Sequence, residues 1–166
     1  MNLPIRLLVL CTGNSARSQM AEALLNARGE GRIAAESAGS HPASQVNPWA
    51  VRVLAEIGIP WEGRVPRGLP AIEHQPWDVV LTVCDNAREA CPIFPGATIM
   101  THWGQPDPAE VEGSDAEKQR AFVAARDLAA WRVDRLLALD LAGMGPATLK
   151  AMLIEIGGQG PGYPQR

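Results

Sequence analysis

The chain has 166 residues, of which 46% are hydrophobic and 20% are charged, and its formal net charge at neutral pH is −3. This composition predicts one water-soluble globular domain, because it shows no basic excess for binding nucleic acid and no apolar run long enough to span a membrane. The first residues lead directly into an apolar strand without the features of a secretory signal, so we expect a cytoplasmic protein.

The first predicted element is an apolar strand at residues 5–10, followed by a loop of small residues that opens a helix. The loop begins at Cys11 and contains the pattern Cys-x5-Arg, which ends at Arg17. Small residues let successive backbone N–H groups turn inward, and the helix N-terminus adds partial positive charge. Such a loop is a cradle for a tetrahedral oxyanion, in which Arg17 would hold the anion and the positive field would favour the thiolate of Cys11. The predicted oxyanion-binding residues are Thr12, Gly13, Asn14, Ser15, Ala16, Arg17 and Ser18. The alternative is an inert buried cysteine, which the flanking strand and helix disfavour.

Further strands are predicted at residues 33–39, 79–83 and 97–103. The third strand of the chain is a continuous apolar run, as is typical of a parallel strand buried on both faces. Helical patterns lie between and after these strands. This alternation predicts an α/β fold with three layers, α/β/α, around a four-stranded parallel sheet.

Two helix starts have clear capping signals. Asn47 and Pro48 predict the start of a helix that stops at Gly58. Ser114 and Glu117 form a capping box for a long helix. The predicted apolar stripe of that helix is Phe122, Val123, Leu128, Trp131, Leu136 and Leu137.

Three chemically reactive residues follow predicted strands. Cys11 follows the first strand, Cys84 the third and Asp107 the fourth. Ligands of parallel α/β sheets bind outside the carboxyl ends of the strands. We therefore expect these three side chains to converge on one cleft.

The three cysteines, Cys11, Cys84 and Cys91, are an odd number whose spacing fits neither a disulfide framework nor a zinc site. A regular helix would separate Cys84 and Cys91 by about 10.5 Å along its axis. A disulfide needs Cα atoms within roughly 7 Å of each other. A bond between these two cysteines would therefore require the segment to unwind, which predicts a conformationally gated redox pair. The alternative is that both cysteines pack against the sheet.

Four separated motifs together resemble the arsenate reductases that have the low-molecular-weight protein tyrosine phosphatase fold. The motifs occur in the family's order, and agreement among several of them is far more specific than one match. They are the CTGNSARSQMAE run from Cys11, Ser37-Ala38-Gly39, the Cys84 and Cys91-Pro92 pair, and the HWGQPDPA run from His102.

The resemblance implies an enzyme that reduces arsenate to arsenite. It implies that Cys11 attacks arsenate to form a thiol–arsenic adduct, and that Arg17 and the loop amides hold the oxyanion. Asp107 would be the general acid. Ser18 would donate a hydrogen bond to the thiolate, and Asn14 would brace the loop.

The resemblance also implies how the arsenic is released. Cys84 would attack Cys11 to free arsenite, and Cys91 would then attack Cys84. The resulting disulfide between Cys84 and Cys91 would be reduced by a thioredoxin-like protein. Glutathione with glutaredoxin is the alternative reductant.

No cofactor and no metal ion are expected. Some family members bind potassium through residues that match Asn14, Glu22 and Ser37, together with a downstream threonine and aspartate. The corresponding stretch here lacks both downstream ligands, and Arg64 and Arg67 could occupy that space.

Other functions on the same fold remain open at this point. A tyrosine phosphatase would need Cys11, Arg17 and Asp107 but neither Cys84 nor Cys91. A binding module without turnover would need only the loop. Phosphate and sulfate are expected to compete with arsenate for that loop.

The predicted domain spans residues 1–142, and residues 143–166 form a C-terminal extension. A break at residues 143–146 precedes a short amphipathic helix at residues 147–156, and the tail from residue 157 is expected to be mobile. This extension would cover apolar surface or mediate dimerisation.

Overall fold

The computed structural model describes residues 1–84, 94 and 96–161. Within them, a four-stranded parallel sheet has the order β2-β1-β3-β4. The predicted fold class, an α/β domain built on a four-stranded parallel sheet, is confirmed. The strands are β1 (Ile5–Cys11), β2 (Ile33–Gly39), β3 (Val79–Thr82) and β4 (Ile99–His102).

The strand register places the carboxyl ends of the sheet side by side. Cys11 pairs with Gly39 across β1 and β2, and Thr82 pairs with His102 across β3 and β4. The segments that leave β1, β3 and β4 therefore start from one edge of the sheet.

The described helices are α1 (Arg17–Arg28), α2 (Pro48–Ala55), α3 (Asp115–Leu137) and α4 (Pro146–Gly157), with short 3-10 turns at Leu69–Ala71 and Pro108–Glu110. The side chain of Asn47 accepts a hydrogen bond from Trp49 N, and Ser114 and Glu117 form the predicted capping box. Helix α2 ends at Ala55, before the predicted stop at Gly58.

Alternate residues of β1 face two separate apolar clusters. On one face, Leu7 and Val9 pack with buried residues from all four described helices. On the other face, Leu8 and Leu10 pack with a smaller group: Ala38, Ile72, Trp77, Val80 and Phe94. The described α-helices therefore share one side of the sheet.

The burial of α3 differs from the predicted apolar stripe. Leu128 and Trp131 are only half-buried, whereas Arg126 and Arg132 are buried. Arg126 Nη1 donates to Val53 O at 2.8 Å. Backbone oxygens of neighbouring segments thus satisfy charged groups that the sequence pattern assigns to solvent.

Helix α4 occupies the position predicted for the short amphipathic helix of the C-terminal extension. Its buried residues Leu149, Leu153 and Ile156 join the larger apolar cluster. Residues 162–166 of the predicted mobile tail lie outside the described residues. Among the described helices, none combines the length and apolar character required to cross a bilayer.

Candidate active site

The loop after β1 is held by the segment at residues 40–47. Backbone N–H groups of this segment donate hydrogen bonds to carbonyl oxygens of the loop. Because the N–H and the C=O of one peptide point in opposite directions, these bonds turn the N–H groups of the loop away from the segment. A loop that binds an anion requires its amides in this orientation. The carbonyl oxygens that accept are Cys11 O from Ser40 N at 3.3 Å, Thr12 O from His41 N at 2.9 Å, Gly13 O from Ala43 N at 2.8 Å and Ser15 O from Asn47 N at 2.9 Å.

The Cys11 thiol is buried and has two polar neighbours. Its Sγ lies 2.9 Å from Ser18 Oγ and 3.2 Å from Asn14 N, which donates to it. Ser18 Oγ also accepts from Asn14 Nδ2 at 2.9 Å. Because that bond uses an oxygen lone pair, the Ser18 hydroxyl proton remains available to donate to the sulfur. Both groups therefore contact the sulfur from within the loop.

Asn14 connects the loop to the strands and segments around it. Its backbone is left-handed, with φ of 49°, a conformation that asparagine tolerates better than most residues. Its Nδ2 donates to Ser18 Oγ and, at 2.8 Å, to Ser37 Oγ. Its Oδ1 accepts from Gln19 Nε2 at 3.0 Å and from Arg67 N at 2.8 Å. The buried amide thus uses both of its donors and accepts two bonds.

Glu22 is a buried carboxylate that is linked to Asn14 through the hydroxyl group of Ser37. Ser37 Oγ donates to Glu22 Oε2 at 2.5 Å, and guanidinium nitrogens of Arg67 and Arg64 lie 3.7 Å and 3.8 Å from Glu22 Oε1. Burial raises the pKa of Glu22 above its ordinary value, although the Ser37 hydrogen bond and the two arginines oppose that shift. The arginines that were expected in this space do contact the carboxylate.

Gly39 makes the close approach of β2 to the loop possible. A Cβ at this residue would collide with Thr12 O and would lie 2.9 Å from Asn14 N. Any larger side chain would push the loop away from the strand. This contact gives a physical reason for glycine in the Ser37-Ala38-Gly39 motif.

The loop forms one wall of a cavity of about 460 Å³. Arg17 Nη2 lies 3.3 Å from Asp107 Oδ2, and Arg17 Nη1 donates to Gln105 O at 3.0 Å. Asp107 also caps the following 3-10 turn, where its Oδ1 accepts from Ala109 N at 3.0 Å. Arginine and aspartate therefore form an ion pair in the lining of the cavity. The lining residues are Thr12, Gly13, Arg17, Cys84, Gln105, Pro106, Asp107 and Glu110.

Cys84 lies in the same cavity wall as Arg17 and Asp107. Its thiol is free and buried, and its Sγ lies 3.5 Å from Thr12 Oγ1. The structure thus brings Cys84 beside the Cys11 loop. Cys91 lies outside the described residues, as does the segment that we expect to unwind.

Sequence reasoning missed three residues around the cavity. Glu110 and Gln105 line it, and Gln105 Oε1 is buried without a hydrogen-bond partner in the described part of the chain. Arg132 holds the backbone of Gly104. Only Glu110 has a sequence signal, since its position three residues after Asp107 places both in one turn. Within residues 1–84, 94 and 96–161, no cluster of three or more acidic, histidine or cysteine residues is suited to hold a metal ion.

Comparison with known proteins gives a consistent result. The chain matches the family described as low molecular weight phosphotyrosine protein phosphatase over residues 6–138. It is 41% identical to an arsenate reductase of Halalkalibacterium halodurans over 71% of this chain and 84% of that protein. The predicted resemblance to arsenate reductases is therefore confirmed.

Solved structures agree with the sequence matches. An arsenate reductase in the phosphate-binding state superposes with a TM-score of 0.66 at 28% identity, covering 81% of this chain and 97% of that chain. A thioredoxin-dependent arsenate reductase of Corynebacterium glutamicum superposes with a TM-score of 0.51 at 27% identity, covering 76% of this chain and 61% of that chain. Helix α4 lies beyond the last residue of the family match.

Proposed function

The chain belongs to the low molecular weight phosphotyrosine protein phosphatase family, and we propose that within this family it is an arsenate reductase. The observation that carries the proposal is the second thiol. Cys84 lines the cavity formed by the Cys11 loop, beside Arg17 and Asp107. Phosphoryl transfer requires one thiolate. Reduction of arsenate requires a second sulfur, which attacks the first sulfur and releases arsenite.

In the proposed first step, Arg17 and the loop amides bind arsenate, and the Cys11 thiolate attacks arsenic. A sulfur–arsenic bond forms and one arsenic–oxygen bond breaks. When arsenate binds to the guanidinium group of Arg17, the ion pair between Arg17 and Asp107 opens. The released Asp107 carboxyl takes up a proton from solvent and passes it to the departing hydroxyl oxygen, which leaves as water.

In the proposed second step, the Cys84 thiolate attacks Cys11 Sγ. The electron pair of the sulfur–arsenic bond passes to arsenic, which leaves as arsenite, and a disulfide joins Cys11 to Cys84. Thr12 Oγ1, 3.5 Å from Cys84 Sγ, is placed to orient that thiol.

In the proposed third step, Cys91 attacks Cys84, frees Cys11 and leaves a disulfide between Cys84 and Cys91. A thioredoxin-like dithiol reduces this bond by exchange through a mixed disulfide. The Corynebacterium glutamicum neighbour, which is thioredoxin-dependent, supports this choice of reductant. Repeated thiol exchange of this kind fits the reducing environment of the cytoplasm, where we place the protein.

We further propose that the loop needs no bound cation. Arg67 and Arg64 approach Glu22 closely enough to supply positive charge, and Arg67 N bonds directly to Asn14. These arginines take the place that an ion would have beside a buried carboxylate.

The test is arsenite production by the purified protein with thioredoxin, thioredoxin reductase and NADPH, compared with glutathione and glutaredoxin. We expect turnover in the first mixture. Cys84→Ser should release no arsenite, and Cys91→Ser should release at most one arsenite per chain, because each variant stops the exchange at a different sulfur. Multiple turnovers by Cys91→Ser with thioredoxin would refute the three-cysteine relay. Turnover only with glutathione and glutaredoxin would retain the first step and exclude Cys91 from the relay.

The second candidate is a phosphatase, because the matched family is named for that activity. It is tested by hydrolysis of p-nitrophenyl phosphate. Sustained hydrolysis with no arsenite in either mixture would replace the reductase proposal and make Cys84 a structural residue.

A further inference from the structure

Helix α4 is attached to the segment that carries Asp107, although the family match ends at residue 138. Trp103, which is buried, donates from Nε1 to Leu153 O in α4 at 2.8 Å. Asp107 lies four residues after Trp103 in the chain. The helix thus contacts the start of the Asp107 segment, which we define as residues 103–110.

Arg132 in α3 binds α4 and the Asp107 segment at the same time. Its Nη1 donates to Gly104 O at 3.0 Å, and its Nη2 and Nε donate to Gly157 O at 2.9 Å and Gln159 O at 3.2 Å. The side chain is only 4% exposed. A buried guanidinium requires such acceptors, and hydrogen bonds from a charged donor are stronger than neutral ones. Arg132 therefore joins three parts of the chain through one planar group.

Gly157 allows α4 to reach the Asp107 segment. A Cβ at Gly157 would lie 2.7 Å from His102 O and 2.6 Å from Trp103 Cδ1. A Cβ at the next residue, Gly158, would meet nothing closer than 3.6 Å. The last turn of α4 thus rests directly on the backbone at the end of β4.

The backbone that follows Gly104 continues into the lining of the cavity. Gln105 N donates to Val83 O at 3.3 Å, and Gln105 O accepts from Arg17 Nη1 at 3.0 Å. Arg132 donates a hydrogen bond to the carbonyl oxygen of Gly104, and Arg17 donates one to the carbonyl oxygen of Gln105. Contacts from α4 and Arg132 thus reach the backbone that leads to Asp107.

We propose that α4 is an intramolecular brace for the Asp107 segment and that Arg132 is the positioning residue that connects them. The inference rests on the proposed function, because it gives Asp107 the role of general acid. Arg132 does not contact the substrate. It fixes the carbonyl of Gly104 and so sets the direction from which Asp107 enters the cavity.

The sharpest variant is Gly157→Ala, with Gly158→Ala as its matched control. The methyl at residue 157 would displace the segment at His102 and Trp103, whereas the methyl at residue 158 fits the space available. We expect kcat for arsenate to fall roughly 10- to 100-fold in Gly157→Ala, the size of effect that a shift of about 1 Å produces. KM should change less than kcat, because the loop amides keep their contacts with residues 40–47. Gly158→Ala should behave as wild type.

Arg132→Met provides a second test, with Arg120→Met, an exposed arginine of the same helix, as its control. Hydrogen exchange then reports on the brace without any assay of activity. Amides of residues 103–110 should exchange faster in Arg132→Met than in Arg120→Met, while those of residues 12–17 should be unchanged. Unchanged exchange at residues 103–110 in both Arg132→Met and Gly157→Ala would overturn the brace.

A double-mutant cycle with Asp107→Asn distinguishes positioning from a general loss of structure. If the brace acts through Asp107, Gly157→Ala should change kcat by less than about twofold in the Asp107→Asn background. An equal loss in both backgrounds would refute the proposal. If Asp107→Asn alone leaves kcat unchanged, the general-acid assignment fails instead, and the exchange rates of residues 103–110 then decide the brace by themselves.

Discussion

The Cys11 loop and the Asp107 segment face each other across one cavity, but different kinds of contact hold them. In addition to its backbone bonds with residues 40–47, the loop is fixed from within by side chains: Asn14, Ser18 and Ser37 form a buried chain of hydrogen bonds. Backbone carbonyls fix the Asp107 segment from outside, through Arg132 and α4. Arg17 is the link between the two walls, because its Nη1 donates to Gln105 O and its Nη2 pairs with Asp107. Substitutions in α4 should therefore act first on the segment, while the loop amides keep their own supports.

The largest expected effect tests the chemical role of the loop. Cys11→Ser should abolish arsenite formation and phosphate ester hydrolysis, because a serine hydroxyl in this loop lacks the reactivity of a thiolate. Phosphate should still bind, since the amides and Arg17 remain, and isothermal titration would measure that affinity. Residual turnover by Cys11→Ser would assign the nucleophile to another residue.

The next largest effect concerns the opposite wall. Asp107→Asn should lower kcat about 100-fold or more, the usual contribution of a general acid, without weakening phosphate binding. Steady-state kinetics and titration of the same preparation would separate the two quantities. A large loss of phosphate affinity with an unchanged kcat would show that Asp107 shapes the binding site and does not transfer a proton.

Asn14→Ala should have a moderate effect on stability, and only on the loop side. It removes an amide that makes four hydrogen bonds and leaves Ser37 Oγ and Arg67 N without that partner. The expected loss of unfolding free energy is about 2–4 kcal/mol, measured by urea denaturation. Asn47→Ala, which removes the N-cap of α2, offers a comparison with an expected loss of about 1 kcal/mol. An equal loss in the two variants would mean that the Asn14 bonds add little beyond an ordinary cap.

The smallest effect is a change in the pH dependence of stability. A carboxyl group whose pKa is raised on folding binds more protons in the folded chain than in the unfolded chain. The unfolding free energy of the wild type should therefore fall as pH rises from the unfolded pKa of Glu22 to its higher folded pKa, and this contribution should be constant above that window. Glu22→Gln should lack this fall, so its stability relative to the wild type should improve across the window.

Thermal unfolding between pH 4 and pH 8 would measure this difference, with Glu73→Gln, an exposed carboxyl on the surface, as the control. Arg67→Met should widen the window, because it removes a positive charge that opposes the raised pKa. Parallel stability curves for wild type and Glu22→Gln would show that folding does not change the pKa of Glu22.

The loop was predictable from sequence because its determinants are local. Cys11, Arg17 and Ser18 lie within one strand–loop–helix unit, where small residues and spacing carry the chemistry. Helix caps such as Ser114 with Glu117 are equally local. The α/β class and the parallel sheet follow from alternation of strand and helix patterns, which is a general property of such domains.

The support of the Asp107 segment was not predictable. Arg132 binds Gly104 and Gly157, which are 28 and 25 residues away in the chain, and both offer only backbone oxygens. Every residue has such an oxygen, so no pattern marks the partner. A charged residue in a long helix is normally solvated, which is also why the predicted apolar stripe included Trp131 and not Arg132.

The ion pair between Arg17 and Asp107 has a consequence for selectivity among anions. Arg17 holds a carboxylate at 3.3 Å, and this competitor belongs to the same chain. An anion from solution must therefore outcompete a partner whose local concentration is fixed and high. Chloride offers one charge and no directional acceptors, whereas a doubly charged oxyanion engages the guanidinium and the loop amides together. We therefore expect the ion pair to disfavour the binding of abundant monovalent ions relative to dianions.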